Sequence, residues 1–243
     1  MARYLVGRGT LLNTATVAVG AGVGLLAGKA IPGEYKDLAI SALGLVTLGF
    51  GIKSFIQSKN VLLVAGALVL GGVLGLLLHI QQGVDGFADW AKAAFGGQGS
   101  DTFQQAVITT SILYCVGPLT LLGCLKDALE DDIELLAIKS TMDGIGSVFF
   151  AAALGPGVLV TAGVVLVVQG TITLAASPLK RFAKDEGMIA EATAVGGVML
   201  MAIGLGLLKI KELPVASLLP ALFVAPLFAW AAQRWKRRST EAP

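Results

Sequence analysis

The chain has 243 residues, of which 55% are hydrophobic and only 14% charged, with a formal net charge of +2 and a mean hydropathy of +0.80. A water-soluble domain carries nearer one-quarter charged residues, so a soluble globule of this length is excluded for want of polar surface to coat it. Thirty-two glycines beside 7% aromatics fit helices packed closely in a bilayer, and the chain reads as an integral membrane protein.

Eight stretches reach the roughly 20 apolar residues that a crossing needs: 9–28, 37–56, 61–80, 102–125, 133–154, 157–177, 188–208 and 213–233. The expected fold is all-α, a polytopic bundle of about eight transmembrane helices forming a single integral membrane domain over residues 1–243. The first stretch outruns the apolar region of a signal peptide and no A-x-A site follows it, so it is a span rather than a leader. In it Asn13 shares a face with Gly20, Gly24 and, less closely, Gly28. That glycine ridge lets another backbone approach, as internal packing or as a dimer seam. Asn13 must find a polar partner in lipid, either as structural glue or as a ligand contact.

After the third span, VDGFADWAKAAF (84–95) is too short and too charged to cross. Val84, Phe87, Ala91 and Phe95 share one helical face and Asp85, Asp89 and Lys92 the other, which predicts a helix lying in the interface or a short cap over the bundle. His79 is the only histidine and has no companions for a metal site. Cys115 and Cys124, nine apart in one apolar segment, read as small buried hydrophobes. No cofactor motif occurs.

The fourth span contains YCVGPLTLLG. Proline there removes a backbone hydrogen bond and crowds the carbonyl four residues earlier, so Gly117-Pro118 predicts either a plain kink or a broken helix whose freed carbonyls serve as ligands. Thr120 follows the break. The acidic run LKDALEDDIE, Asp127 to Glu134, reads as a solvated loop.

The fifth span, LAIKSTMDGIGSVFF, places Lys139, Ser140, Asp143 and Ser147 on one face and Ile138, Met142, Ile145 and Phe149 on the other. An ionisable group at the bilayer centre costs at least about 2.5–3.5 kcal/mol, so it faces protein or water. Four residues apart, Lys139 and Asp143 can neutralise each other. They form either a buried ion pair that holds the bundle or a site for substrate, proton or cation. If Lys139 snorkels to the headgroups, Asp143 stands alone. Gln169, midway along the sixth span, poses the same choice as Asn13.

Spans two and three resemble spans seven and eight: Gly44 and Gly51 recur 153 positions later as Gly197 and Gly204. Five spans separate equivalents, so the copies cross in opposite directions, the parity of an inverted repeat. It would relate spans 1–3 to spans 6–8, halves 1–82 and 157–243, with 102–154 between. Orientation follows from the basic residues. With the N-terminus inside, Arg3, Arg8, Lys53, Lys59, Lys126, Lys180, Arg181, Lys184, Arg234, Lys236, Arg237 and Arg238 fall inside. Lys29, Lys36, Lys92, Lys209 and Lys211 fall outside, so both termini are expected in the cytoplasm. The tail RWKRR is then a positive-inside anchor beside acidic lipid and no nucleic-acid patch.

GTLLN, CVGPLTLLG, LAIKSTMDGIGSVFF, VVQG, AVGGVMLMAIGLGLL and LLPAL, in this order over nearly the whole chain, resemble the YqgA/YdfK-like bacterial inner-membrane proteins, a domain-of-unknown-function family. The resemblance implies a multi-pass protein of the bacterial inner membrane, sometimes described as a transporter, with no established substrate and no catalytic residues to carry over. The family motif usually has asparagine before the late Leu-Pro-Ala-Leu; here ASLLPAL puts Ser217 there.

The expected function is a secondary transporter or permease for a small polar solute or ion, by alternating access, with a second copy of the chain as a further partner beside the lipid bilayer. Asp143 would titrate or hold a cation, Lys139 would balance it, and Asn13, Gln169, Thr120, Ser147 and the Gly117-Pro118 break would supply neutral ligands. A passive channel and a non-transporting scaffold are the alternatives. An enzyme is not expected, because no nucleophile–base pair or metal-ligand set lies at depth.

Overall fold

The computed structural model describes residues 7–94, 101–177, 179 and 185–240, with the backbone alone for Ala88, Ala91, Lys92, Ala94, Asp101, Pro118 and residues 235–240. Arg3, Phe95, Lys180, Arg181 and Lys184, used above for orientation and for the interfacial face, lie outside the described residues. Among the described residues there is no strand. The helices are α1 (Arg8–Lys29), α2 (Gly33–Phe55), α3 (Val61–Leu77), α4 (Ile80–Ala94), α5 (Asp101–Cys115), α6 (Pro118–Glu130), α7 (Glu134–Leu154), α8 (Gly157–Leu174), α9 (Glu186–Leu207) and α10 (Ala221–Thr240), with a 3-10 turn at Val215–Leu218. Prolines mark starts: Pro32 and Pro156 precede α2 and α8, and Pro118 opens α6, where a missing N–H costs nothing. Asn60 and Asp185 cap α3 and α9 through side-chain bonds to Leu62 N–H and Met188 N–H.

Six helical segments are long and apolar enough to cross a membrane, and the count reaches eight if two bent pairs each make one span. Leu26, Leu62, Leu174 and Phe223 are more than two-thirds exposed, as a lipid-facing surface requires. The first bent pair is α3 and α4, which meet at 64° around His79, a non-glycine residue with φ of 53°. The described part of the 84–95 segment, up to residue 94, takes the second of the two expected forms, a cap over the bundle. The helix starts at Ile80, continues from α3 and folds over the end of the bundle, because Gln81 accepts the Ala216 N–H at 3.2 Å and Asp85 accepts from Gln81 at 2.8 Å and from Gln104. The second pair is α5 and α6, bent by 57°.

The helices sort into two bundles. In the first, α1 lies along α7, and α5, α6 and α8 complete the group. In the second, α2 lies along α9, with α3, α4, the 3-10 turn and α10 around them. Contact between the bundles is slight and runs mainly through α2 on α7, α5 on α9 and α4 on α5. Helix directions follow from the facing residues. Gly20, Gly24 and Gly28 lie against Gly144, Val148 and Ala152, each 124 positions on, so α1 and α7 are parallel and the glycine ridge is used inside one chain. Gly44 faces Gly204 and Gly51 faces Gly197, so α2 and α9 are antiparallel. Of the most apolar stretch of α9, 67% is buried, against 17% for α2, which makes α9 the central post of its bundle.

Buried carboxylates tie helix starts together on the face where α1 begins, called here the near face. Glu191 of α9 accepts from Ser58 Oγ at 2.7 Å and from the Lys59 and Asn60 N–H groups, both at 2.9 Å, at the start of α3. Asp127 accepts the Gly9 N–H at 3.0 Å at the start of α1. Both place negative charge where the helix dipole favours it. The acidic run is thus only partly a loop: α6 continues to Glu130 and Asp127 is buried. Arg8 pairs with Asp131, and Lys126 with Asp132 at 2.9 Å. The Glu134 N–H and the Lys126 ammonium together hold the Asp132 carboxyl below the usual range. Glu191→Leu strands three donors and should destabilise the fold by about 2–3 kcal/mol, read by denaturant unfolding in detergent. An unchanged midpoint would show that water replaces the carboxylate.

Candidate functional site

The site starts from the two-faced α7. Ile138, Met142, Ile145 and Phe149 are each about half exposed, the last three bordering the gap toward α2, while Lys139, Ser140, Asp143 and Ser147 are buried. Because the glycine ridge brings α1 against α7, Asn13 reaches the same place. Lys139 Nζ lies 3.0 Å from Asp143 Oδ1 and 2.9 Å from Oδ2, and Asn13 Nδ2 donates to Oδ2 at 2.9 Å. Lys139 is therefore turned inward and does not snorkel. Both carboxylate oxygens are occupied, and the trio is formally neutral, the arrangement that lets a buried charge persist.

The helix break brings the next groups. Gly117 has φ of +153°, a conformation that side-chain-bearing residues rarely adopt, and Pro118 then opens α6. Thr120 Oγ1 donates at 3.1 Å to the Tyr114 carbonyl, one of the acceptors the break releases. The Tyr114 side chain is buried with its ring centroid 6.0 Å from Lys139 Nζ, within reach of a cation–π attraction. Its hydroxyl is hydrogen-bonded at 3.1 Å to Ser147, which also donates to the Asp143 carbonyl at 2.7 Å. Gly146 leaves room for that hydroxyl: a β-carbon there would lie 3.2 Å from it. Tyr114→Phe should cost about 1 kcal/mol in detergent unfolding, since Ser147 keeps its other bond. A loss several times larger would mean that the phenol holds more than Ser147.

These groups wall a cavity of about 690 Å³ on the seam between the bundles, with Lys139, Asp143, Tyr114 and Thr120 on one side and Thr47 and Lys53 of α2 on the other. It lies toward the near face. A second cavity of about 530 Å³ lies on the same seam toward the far face, lined among others by Asp37, Gln105, Thr109, Lys209 and Glu212. On α2 the far cavity reaches Ile40 and the near one starts at Leu43; on α5 the limits are Thr109 and Leu113, and on α9 Ala202 and Leu200. A helical turn, about 5 Å, divides them, carrying Ser41 and Ala42 on α2, Thr110, Ser111 and Ile112 on α5 and Met201 on α9.

Of the residues expected to form a site, Asn13, Lys139, Asp143, Ser147, Gly117, Pro118 and Thr120 fall at or beside the near cavity. Gln169 does not. It is fully buried on α8, and neither amide atom has a hydrogen-bond partner among the described residues. The Thr10–Thr173 hydroxyl contact at 3.2 Å sits to one side of it, and Val17 and Val165 share a core cluster on the other. Gln169 is thus level with Asn13, whose Oδ1 is also unpartnered, behind the trio rather than in the cavity. Ser217 is remote as well; its carbonyl occupies the space that a β-carbon on Gly75 would need. Tyr114, Thr47 and Lys53 were not anticipated. A tyrosine three residues before Gly117 was the available signal, because a phenol at membrane depth must find a partner. Among the described residues no three His, Cys, Asp or Glu side chains group as metal ligands would.

Residues 8–230 match the family model described as "Protein of unknown function (DUF554)". The chain is similar to the uncharacterized membrane protein YdfK of Bacillus subtilis (strain 168), with 30% identity over 223 residues, covering 90% of this chain and 94% of YdfK. It is equally similar to the uncharacterized protein YqgA of Escherichia coli (strain K12), with 30% identity over 230 residues, covering 92% of this chain and 97% of YqgA. No solved structure matches.

Proposed function

The chain belongs to the DUF554 family, and from that premise we propose that it is a secondary transporter of a small solute in the bacterial inner membrane, with its near face in the cytoplasm. The observation that carries this reading is the pair of cavities on one seam, toward opposite faces, divided by about a single helical turn. Rocking one bundle against the other would open one cavity as it closes the other, which is alternating access. A passive channel needs a continuous wet path, and the intervening turn disfavours it. A scaffold would not need the cavities. Chemistry on the solute is not part of the proposal.

We also propose an internal inverted repeat, which the glycine contacts support. The glycines that correspond in sequence, Gly44 with Gly197 and Gly51 with Gly204, meet crosswise: Gly44 on Gly204 and Gly51 on Gly197. Reciprocal contact of this kind is what a two-fold relation between copies produces. The acids near the start of each helix behave alike. Asp37 of α2 pairs at 3.3 Å with Lys209 beyond the end of α9, and Glu191 of α9 holds Ser58 beyond the end of α2.

The test is to lock the seam. A β-carbon at position 196 would lie 3.5 Å from the β-carbon of Val116, inside the range of disulfides, and the two positions belong to different bundles. Val116→Cys/Gly196→Cys, with Cys115 and Cys124 replaced by alanine, is reconstituted in liposomes and challenged with organic acids, amino acids and inorganic ions on a solid-supported membrane. Saturable flux of one of them is expected in the reduced protein, lost on oxidation and restored by reductant. Saturable flux that survives complete oxidation, or no saturable flux for any solute, would overturn the proposal.

A further inference from the structure

The near cavity is positively biased. Its titratable lining groups are Lys53, Lys139, Asp143 and Tyr114. Asp143 is already taken, with Lys139 and Asn13 covering both oxygens, so it has no open pair of oxygens to offer a cation. Lys53, across the cavity on α2, has no ion-pair partner among the described residues. The first turn of α6 also begins on the cavity wall, at Gly117, Leu119 and Thr120, and turns the positive end of a helix dipole toward it. The rest of the wall is mainly apolar, including Phe50, Leu113, Met142 and Phe149. Its neutral polar groups are Thr47, Ser54, Gln57 and Thr120 beside the Tyr114 hydroxyl, and a cation would meet an uncompensated ammonium.

We infer that the ligand of this cavity is a small amphipathic anion, a carboxylate-type head on an apolar body. The head sits between Lys53 and the first turn of α6, and the body packs on the aromatic wall. A volume of about 690 Å³ is in the range of small-molecule sites. The inference rests on reading the cavity as the transport site, and it adds the charge and shape of what is carried.

The experiment measures binding, which does not depend on flux. The full chain in detergent is titrated with hexanoate, hexanol and hexylammonium, which share an alkyl chain, following the thermal midpoint and the heat of binding. Hexanoate should raise the midpoint saturably while the other two do not, and Lys53→Gln should weaken hexanoate about tenfold, the worth of one charge-assisted hydrogen bond. Lys53→Glu, at an exposed residue that leaves the buried trio intact, should shift the preference to hexylammonium. Equal responses to the three probes, or hexanoate binding unaffected by Lys53→Gln, would overturn the anion assignment. Saturable hexanoate binding without saturable flux of any solute would sink the transport proposal and keep the anion site; saturable flux of another solute with no hexanoate binding would do the reverse.

Discussion

Asp143→Leu alone should cost the folded protein about 3–5 kcal/mol, because it leaves the Lys139 ammonium buried with no counter-charge. Lys139 cannot escape cheaply, since its side chain is 9% exposed and held between α7 and the ring of Tyr114. The double change Lys139→Met/Asp143→Leu should recover most of the loss. Replacing both members of a buried pair by apolar groups of similar volume is often neutral, whereas removing one is not. What remains is the Asn13 amide, which loses its acceptor. Equilibrium unfolding of the two variants in the same detergent decides the matter. A double variant no more stable than the single one would mean that the carboxylate is held by something other than the lysine.

Gly20→Leu should cost about 3 kcal/mol or more, at the upper end for overpacking. A β-carbon at position 20 would overlap the Gly144 carbonyl, a backbone atom that cannot turn away. Pushing α1 off α7 would also draw Asn13 away from Asp143, so flux should fall further than stability alone accounts for. Gly22→Ala is the matched control: no heavy atom lies within 4 Å of its β-carbon position. It should be neutral or stabilising by up to about 1 kcal/mol, from helix propensity. If the two substitutions unfold at the same midpoint, the close packing of α1 on α7 is not what holds the site.

Much of the architecture was legible along the chain because its causes are local. A run of apolar residues either reaches the thickness of a bilayer or does not. Gly117-Pro118 marks a disturbance of its helix from sequence alone, and the φ of +153° at Gly117 then makes it a break. Lysine and aspartate four residues apart on a helix share a face whatever the helix packs on. Two elements show the limit. Residues 84–94 read as either an interfacial helix or a cap, and what decides between them is bonds from Gln81 to Ala216 and from Asp85 to Gln104. Asp127 read as solvated, yet it is enclosed because α1 begins against it.

What sequence alone determined, then, is that this is a membrane protein of apolar helices with one interrupted span and a buried charged face on α7. Composition, length and helical periodicity act within a segment and need no neighbour. What only the tertiary structure decided is company. It gave Asp143 its Asn13 and Tyr114 its Ser147, left Gln169 behind the site, and divided the ten helices named above, among the described residues, into two bundles with a seam between them. The physical reason is register. Which residues meet across two helices depends on how far one backbone slides along the other, and small residues at the contact set that slide in three dimensions.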